Sequence, residues 1–222
     1  MITILDPDRL TFVDPIRREL QDFYEAEAAA STRGPAAGRR VRAAAAFAGM
    51  LRVEGRTRVL DVGAGPGTDA SAFTGAGLSY VGIDLAIGNA RLARERSHDV
   101  IAASLFDLPF RPGSFDAGWS MSTLMHVPAD EFDLAMRAVL APLQPGAPLG
   151  IGMWGGADHE FRSTPGPAGT RRLFSLRTAD HNRAMLSAHG VIEQWEVWDA
   201  GPEEWEYHLA VIRLPSSHRS DG

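Results

Sequence analysis

The sequence predicts an α/β fold built on a mostly parallel sheet, on three observations. Short β-rich runs at 58–62, 79–83, 99–103, 115–121 and 148–154 alternate with helical stretches at 68–74, 88–96 and 129–143. The first of those runs ends in closely spaced glycines, Gly63, Gly65 and Gly67. The chain has 222 residues, the length of one domain that buries a full core without staples. Strands that alternate with helices need crossover connections, so neighbouring strands run parallel and helices cover both faces of the sheet.

Each element has its own signal. Phe12, Ile16, Leu20 and Phe23 recur along one face of a helix over 12–30. Residues 31–38, STRGPAAG, break that helix. A second helix over 39–51 carries Val41, Ala45, Ala48 and Leu51 on one side. The alternating runs then take the chain to residue 154. Residues 155–172 are rich in Gly and Pro and read as a long loop, the kind that in compact domains carries function or is disordered. A helix is predicted over 178–188. Two strands over 191–198 and 206–214, separated by DAGPEEW, form a hairpin-like antiparallel pair that closes the sheet.

Composition removes several classes of chemistry. The chain is 45% hydrophobic and 23% charged, which is ordinary globular material. It has no cysteine, so disulfides, thiolate catalysis and iron–sulfur clusters are excluded. All 22 basic residues are arginine against 28 acids, and a net charge of −6 argues against a nucleic-acid partner. No apolar run reaches the ~18 residues of a membrane span. The segment MITILDPDRL has no basic stretch ahead of its apolar residues, so a soluble, cytoplasmic protein is expected.

The sharpest feature is VLDVGAGPG, residues 59–67. Glycines permit a tight turn and a close approach of ligand to backbone. The helix that follows is expected to leave unpaired N–H groups at the carboxyl end of the strand. Asp84 ends the second strand, where a carboxylate can accept both hydroxyls of a ribose. So far any nucleoside-bearing cofactor fits. A dinucleotide fingerprint requires G-x-G-x-x-G or A. Counted from Gly63, its sixth position falls on Thr68, and Asp61 stands just ahead of the loop. A carboxylate there repels a pyrophosphate and suits an ammonium and a sulfonium, which favours a cationic adenosyl amino acid over NAD.

Taken with VGIDLA (81–86), LPFRPGSFD (108–116), SMSTLMHVP (120–128) and FSLRTADHNRAMLSAHGV (174–191), the loop resembles the motifs of the class I S-adenosylmethionine-dependent methyltransferases. The likeness is closest to their small-molecule branch, of the ubiquinone/menaquinone-biosynthesis type, and covers roughly residues 20–214. It implies a Rossmann-like sheet of seven strands, mostly parallel, with helices on both faces and an antiparallel last strand. It implies one methyltransferase domain: a helical lid over 8–51, a cofactor-binding core over 52–154, a substrate loop over 155–177, and a C-terminal helix and hairpin over 178–214. The implied activity is methyl transfer from S-adenosylmethionine to a small-molecule acceptor by in-line displacement. A non-catalytic module binding the same cofactor, or an NAD-dependent oxidoreductase, are the alternatives.

Site roles implied by the resemblance follow position by position. Asp61, Gly63, Ala64, Gly65 and Gly67 surround the methionine end, Asp84 takes the ribose, and Leu85 packs on the adenine. Ser104 stands where the family has an acidic residue for the adenine amino group, a weaker acceptor. Leu105 offers a backbone N–H to the ring, Ser120 and Met121 reach the cofactor from the fourth strand, and Tyr24 closes over it.

No catalytic residue is assigned by these motifs, and His126 is the one candidate base, weighed against a histidine merely packed at a helix start. His189 reads as a helix-end contact and His208 as structural, while His159 lies in the long loop. No histidine spacing suits a metal, and none is expected. Arg171 and Arg172 either anchor an acidic substrate or form a solvated turn, and Trp154 is the best pocket aromatic. Trp195 and Trp198 have opposite parity on one strand, so at most one belongs to the core.

Overall fold

In a computed structural model, residues 14–30, 38–199 and 205–216 are described. The expectations for 8–13, 31–37 and 200–204 lie outside them. Helices α1 (Pro15–Ala30) and α2 (Gly38–Val53) precede β1 (Arg58–Val62). There follow α3 (Ala70–Gly75), β2 (Ser79–Asp84), α4 (Ile87–Glu95), β3 (Val100–Ala102) and β4 (Ala117–Met121). Then come α5 (Phe132–Leu140), β5 (Pro148–Gly155), β6 (His159–Arg162), β7 (Leu173–Leu176), α6 (Ala179–Ser187), β8 (Val191–Asp199) and β9 (Glu206–Arg213).

Seven strands form one sheet in the order β3-β2-β1-β4-β5-β9-β8. The first five are parallel, and β9 runs antiparallel to both β5 and β8. The strand order reverses between β1 and β4, which places a crevice outside their carboxyl ends. Because β1 is central, RVLDV is buried almost throughout, and alternate residues feed two cores. Leu60 joins Phe115, Phe132, Met136, Leu149 and Ile212 on the α5 side. Val59 joins Phe47, Leu51, Phe73 and Trp119 on the α2–α3 side. The start of β1 is pinned by Asp116, whose carboxylate accepts from the backbone N–H of Thr57 (2.9 Å) and of Arg58 (2.8 Å).

α1 lies across the switch point. Its Glu25 accepts from the first N–H groups of α4, Ile87 (2.6 Å) and Gly88 (2.9 Å), where a carboxylate meets the positive end of a helix. Its Arg17 pairs with Glu131 beyond β4 (2.8 Å), and its Glu19 pairs with Arg162 of β6 (2.7 Å). One helix thus ties the ends of β2, β4 and β6.

Some elements differ from the sequence reading. Residues 115–116 are outside β4, and Phe115 makes a single bridge to Leu143. The segment Ala129–Glu131 is a 3₁₀ turn, so α5 begins only at Phe132. The supposed loop 155–172 contains a strand, because β6 pairs antiparallel with β7 and stacks Phe161 on Phe174 (5.4 Å, 13°). Strands of four residues are too short to show a period, and the Gly/Pro segment between them masked the pair. Trp195 and Trp198 do face opposite sides, each half-buried against a different core. No helix among the described residues is long and apolar enough to cross a membrane.

Candidate active site

At the switch point the glycine loop leaves β1 and meets the segment that leaves β4. Gly63 has φ +78°, the left-handed region, and a Cβ there would overlap the Thr123 hydroxyl and lie 2.7 Å from its Cγ2. Thr123 itself bonds the Val62 carbonyl (3.1 Å), as does Ser120 (3.0 Å). Next to Ser120 and Met121, Ser122 is held at φ +59°, a conformation a non-glycine residue keeps only where its surroundings impose it. Its N–H donates to the Gly152 carbonyl (2.7 Å) and its hydroxyl meets the Tyr207 hydroxyl (3.1 Å).

One expectation is corrected here. The N–H groups of Gly63, Ala64, Gly65, Gly67, Thr68 and Ala70 are engaged within the protein instead of being presented to the crevice. Gly63 and Ala64 both donate to the Ile83 carbonyl (2.9 Å each), and Gly65 donates to the Asp84 carboxylate (2.8 Å). Gly67 and Thr68 donate to the Ala64 carbonyl (3.2 and 3.3 Å), Ala70 donates to the Gly67 carbonyl (3.2 Å), and Pro66 has no N–H. The partner strand β2 supplies the acceptors, and a single-chain motif carries no trace of it.

Asp84 therefore latches the loop. It is 8% exposed, and its other oxygen accepts from the Ala86 N–H (2.9 Å) and the Asn89 amide (3.1 Å). Leu85 is half-buried beside it. The turn after β3 comes alongside, since the Ala103 N–H donates to the Asp84 carbonyl (2.9 Å). There the Ser104 hydroxyl accepts from the Phe106 N–H (3.2 Å), and Leu105 packs on the core.

Behind the loop lies a buried polar cluster that the motif only half revealed. Asp61, 1% exposed, accepts from the Tyr80 hydroxyl (2.8 Å). Asp69 accepts from Arg40 of α2 (3.0 Å from Nε, 2.8 Å from Nη2) and from the Trp119 indole (2.8 Å). Burial, then the neighbouring Asp69, push the Asp61 carboxyl up to about 8, against the Tyr80 hydrogen bond and Arg40. Unfolded, an aspartate titrates at ~3.9. Between those values the folded chain holds more protons than the unfolded one, so this group's contribution to stability falls from about pH 4 to pH 8 and is level above. Asp61→Asn is expected to raise the melting temperature of the ligand-free protein at pH 7.5 by roughly 4–8 °C, for about 2 kcal/mol, with the gain shrinking toward pH 5. Thermal denaturation at the two pH values checks it.

A second cluster forms where α1, the turn Leu124–His126 and β7 meet. His126 is 5% exposed. Its Nδ1 lies 2.6 Å from the Leu173 carbonyl, an acceptor only, so Nδ1 carries the hydrogen. In the neutral ring Nε2 is then the acceptor, and it faces the Tyr24 hydroxyl at 2.8 Å. Arg172 donates to that hydroxyl (2.7 Å) and lies over the rings of Phe23 (4.4 Å) and Phe174 (4.9 Å). Tyr24 thus meets His126 and Arg172. Arg171 is exposed on the Ser163 carbonyl. Beyond Phe174, the rings of Phe161, Trp205, Trp154 and Tyr207 continue as an aromatic wall. His208 is a buried link between Asn182 and Glu206, while His189 contacts Asp133 (3.2 Å) and His159 stacks on Phe161. Among the described residues no group of three or more potential ligands could hold a metal.

The fold and this loop define an α/β domain with a glycine loop at its switch point. Comparison with known proteins narrows the class. Residues 60–150 match the methyltransferase domain family. The chain is 28% identical over 184 residues to a 27-O-demethylrifamycin SV methyltransferase of Amycolatopsis mediterranei, covering 79% of this chain and 60% of that one. It is 36% identical over 94 residues to a demethylmenaquinone methyltransferase of Renibacterium salmoninarum, covering 41% and 39%. The chain thus spans less than two thirds of these curated relatives. A crystal structure of a Burkholderia thailandensis 1,6-didemethyltoxoflavin-N1-methyltransferase, with its substrate and S-adenosylhomocysteine bound, shares the fold. Its TM-score is 0.71 at 19% identity, over 97% of this chain and 93% of that one. The match to the methyltransferase domain family thus lies in the β1–β5 core, and over most of its length the chain is similar to a small-molecule methyltransferase.

Proposed function

We propose that this protein transfers a methyl group from S-adenosylmethionine to a small-molecule acceptor in the cytoplasm. The observation that carries the reading is electrostatic. The N–H groups of Gly63, Ala64, Gly65, Gly67 and Thr68 are engaged and form no row for a pyrophosphate, and three buried carboxylates, Asp61, Asp69 and Asp84, lie around the loop, against Arg40 on Asp69 and Arg96 on the Pro66 carbonyl among the described residues. That donor set fits a cationic ligand, and the left-handed Gly63 keeps the cradle clear of a side chain.

Asp84, with Asn89 orienting it, would hold the ribose. Leu85 and Leu105 would flank the adenine, with Ser104 at its edge. Asp61, the loop Gly63–Ala64–Gly65–Gly67, Ser120 and Met121 would hold the amino-acid end, and Tyr24 would cover it. When bound, the cofactor supplies an electrophilic methyl group on a sulfonium. The chain's own work is to exclude water, orient the acceptor and take its proton. α1 would act as lid and the β6–β7 segment as the other wall, with aromatic rings giving the acceptor an apolar bed. Orientation alone supplies ~7–11 kcal/mol of such a barrier. His126 Nε2, reached through Tyr24, would accept a proton from a hydroxyl or N–H acceptor, and the Arg172 cation would favour negative charge beside Tyr24. A net charge of −6 supports a small molecule over a nucleic acid.

S-adenosylhomocysteine at a hundredfold excess over its Kd is expected to stabilise the protein by about 2.7 kcal/mol, roughly 5–10 °C in Tm. NAD is expected to leave Tm unchanged. The reverse pattern would mean an oxidoreductase. Binding together with transfer of labelled methyl to a panel of hydroxylated and amino acceptors separates an enzyme from a binding module.

A further inference from the structure

Behind the glycine loop two buried carboxylates, Asp61 and Asp69, share one guanidinium among the described residues, that of Arg40. Asp69 at the end of the loop is engaged by Arg40 of α2 and by Trp119 of β4. Asp84 at the end of β2 is engaged by backbone N–H groups and Asn89. The hydrogen bond to Asp61 comes from a neutral phenol, Tyr80 of β2. Tyr207 of β9 lies near Arg40 and adds no cation. Asp61 and Asp69 against the single Arg40 guanidinium leave one unit of negative charge in that buried pair, which is costly, and one bound proton removes it.

We propose that the Asp61–Tyr80 pair stores a proton in the ligand-free protein and releases it to solvent when the ammonium of the donor amino acid arrives, which makes cofactor binding proton-linked. This rests on the cofactor reading above. The exchange balances: the O–H of the Asp61 carboxylic acid breaks, its proton goes to buffer, and the carboxylate pairs with an ammonium that already carries its charge. No electrons move. An Asp61 carboxyl pushed up to about 8 by burial and Asp69 is in accord with a group protonated at neutral pH.

The full chain would be titrated calorimetrically with S-adenosylhomocysteine at pH 7 in phosphate and in Tris, buffers of very different ionisation heat. The expected heats differ by close to one proton's worth. The affinity is expected to rise about tenfold per pH unit from pH 6 to 7.5 and to level off above about 8. Adenosine, which lacks the amino acid, is expected to bind with the same heat in both buffers, and Asp61→Asn is expected to show no buffer dependence with S-adenosylhomocysteine. Tyr80→Phe removes a hydrogen bond that favours ionised Asp61, so the levelling-off moves to higher pH, a shift that a purely structural tyrosine would not cause. Equal heats for S-adenosylhomocysteine in the two buffers, or equal proton release with adenosine, overturn the inference alone. Absence of binding at every pH overturns the cofactor reading and this inference with it.

Discussion

Gly63→Ala is expected to lower affinity for S-adenosylhomocysteine more than a hundredfold. Two costs combine. The left-handed φ of +78° charges any L residue about 1–2 kcal/mol. The new methyl group would also overlap the Thr123 hydroxyl and sit within 2.8 Å of its Cβ. Thr123 must turn away, breaking its bond to the Val62 carbonyl and parting the two segments that meet at the switch point. Folding suffers by about 2–4 kcal/mol, within the range of steric insertions, while the cradle itself is lost. Gly77 provides the control. It has a similar φ of +81°, but nothing lies within 4 Å of its would-be Cβ. Gly77→Ala should show the backbone cost alone, with binding untouched. If both variants bind equally well, the loop does not hold the ligand.

That contrast also shows what the sequence can and cannot convey. The glycine spacing and Asp84 are local signals, separated by a single crossover, and the structure brings them together through the Gly65–Asp84 hydrogen bond. That strands β1 to β5 run parallel likewise follows from runs that alternate in period along the chain, whereas their order β3-β2-β1-β4-β5 does not. What stayed hidden depends on residues distant in sequence. Arg40 reaches Asp69 across 29 residues and Trp119 reaches it across 50. The motif displays Asp61, but nothing in it shows that Tyr80 and Asp69 will surround that carboxylate. The loop N–H groups looked available because their acceptors, Ile83 and Asp84, sit on the neighbouring strand.

His126 belongs to the same category. Its position after the fourth strand was visible, and a packed histidine was the plainer reading. The ring is indeed buried, yet its two nitrogens are sorted by partners 47 and 102 residues away, Leu173 and Tyr24. Those partners give it a defined tautomer and an acceptor nitrogen. Arg172, read as a choice between substrate anchor and solvated turn, is instead half-buried on three aromatic faces with a hydrogen bond to Tyr24.

His126→Asn is expected to lower kcat by about 10²–10⁴-fold, the usual worth of a positioned general base, with S-adenosylhomocysteine affinity unchanged. Asparagine is the better test than alanine, because its amide can still donate to the Leu173 carbonyl and hold the turn, while it offers no basic nitrogen to Tyr24. Tyr24→Phe removes the hydroxyl that joins His126 to Arg172 and should fall into the same range. If the two act as one proton relay, the double variant loses little beyond either single one, whereas two independent packing roles would add. The defect should also depend on the acceptor. One whose attacking atom is already ionised at the assay pH needs no base, so the gap between wild type and variant closes as pH passes the acceptor's own pKa. A loss of kcat that is the same for ionised and protonated acceptors would assign His126 to shape alone, and unchanged turnover would remove it from the chemistry.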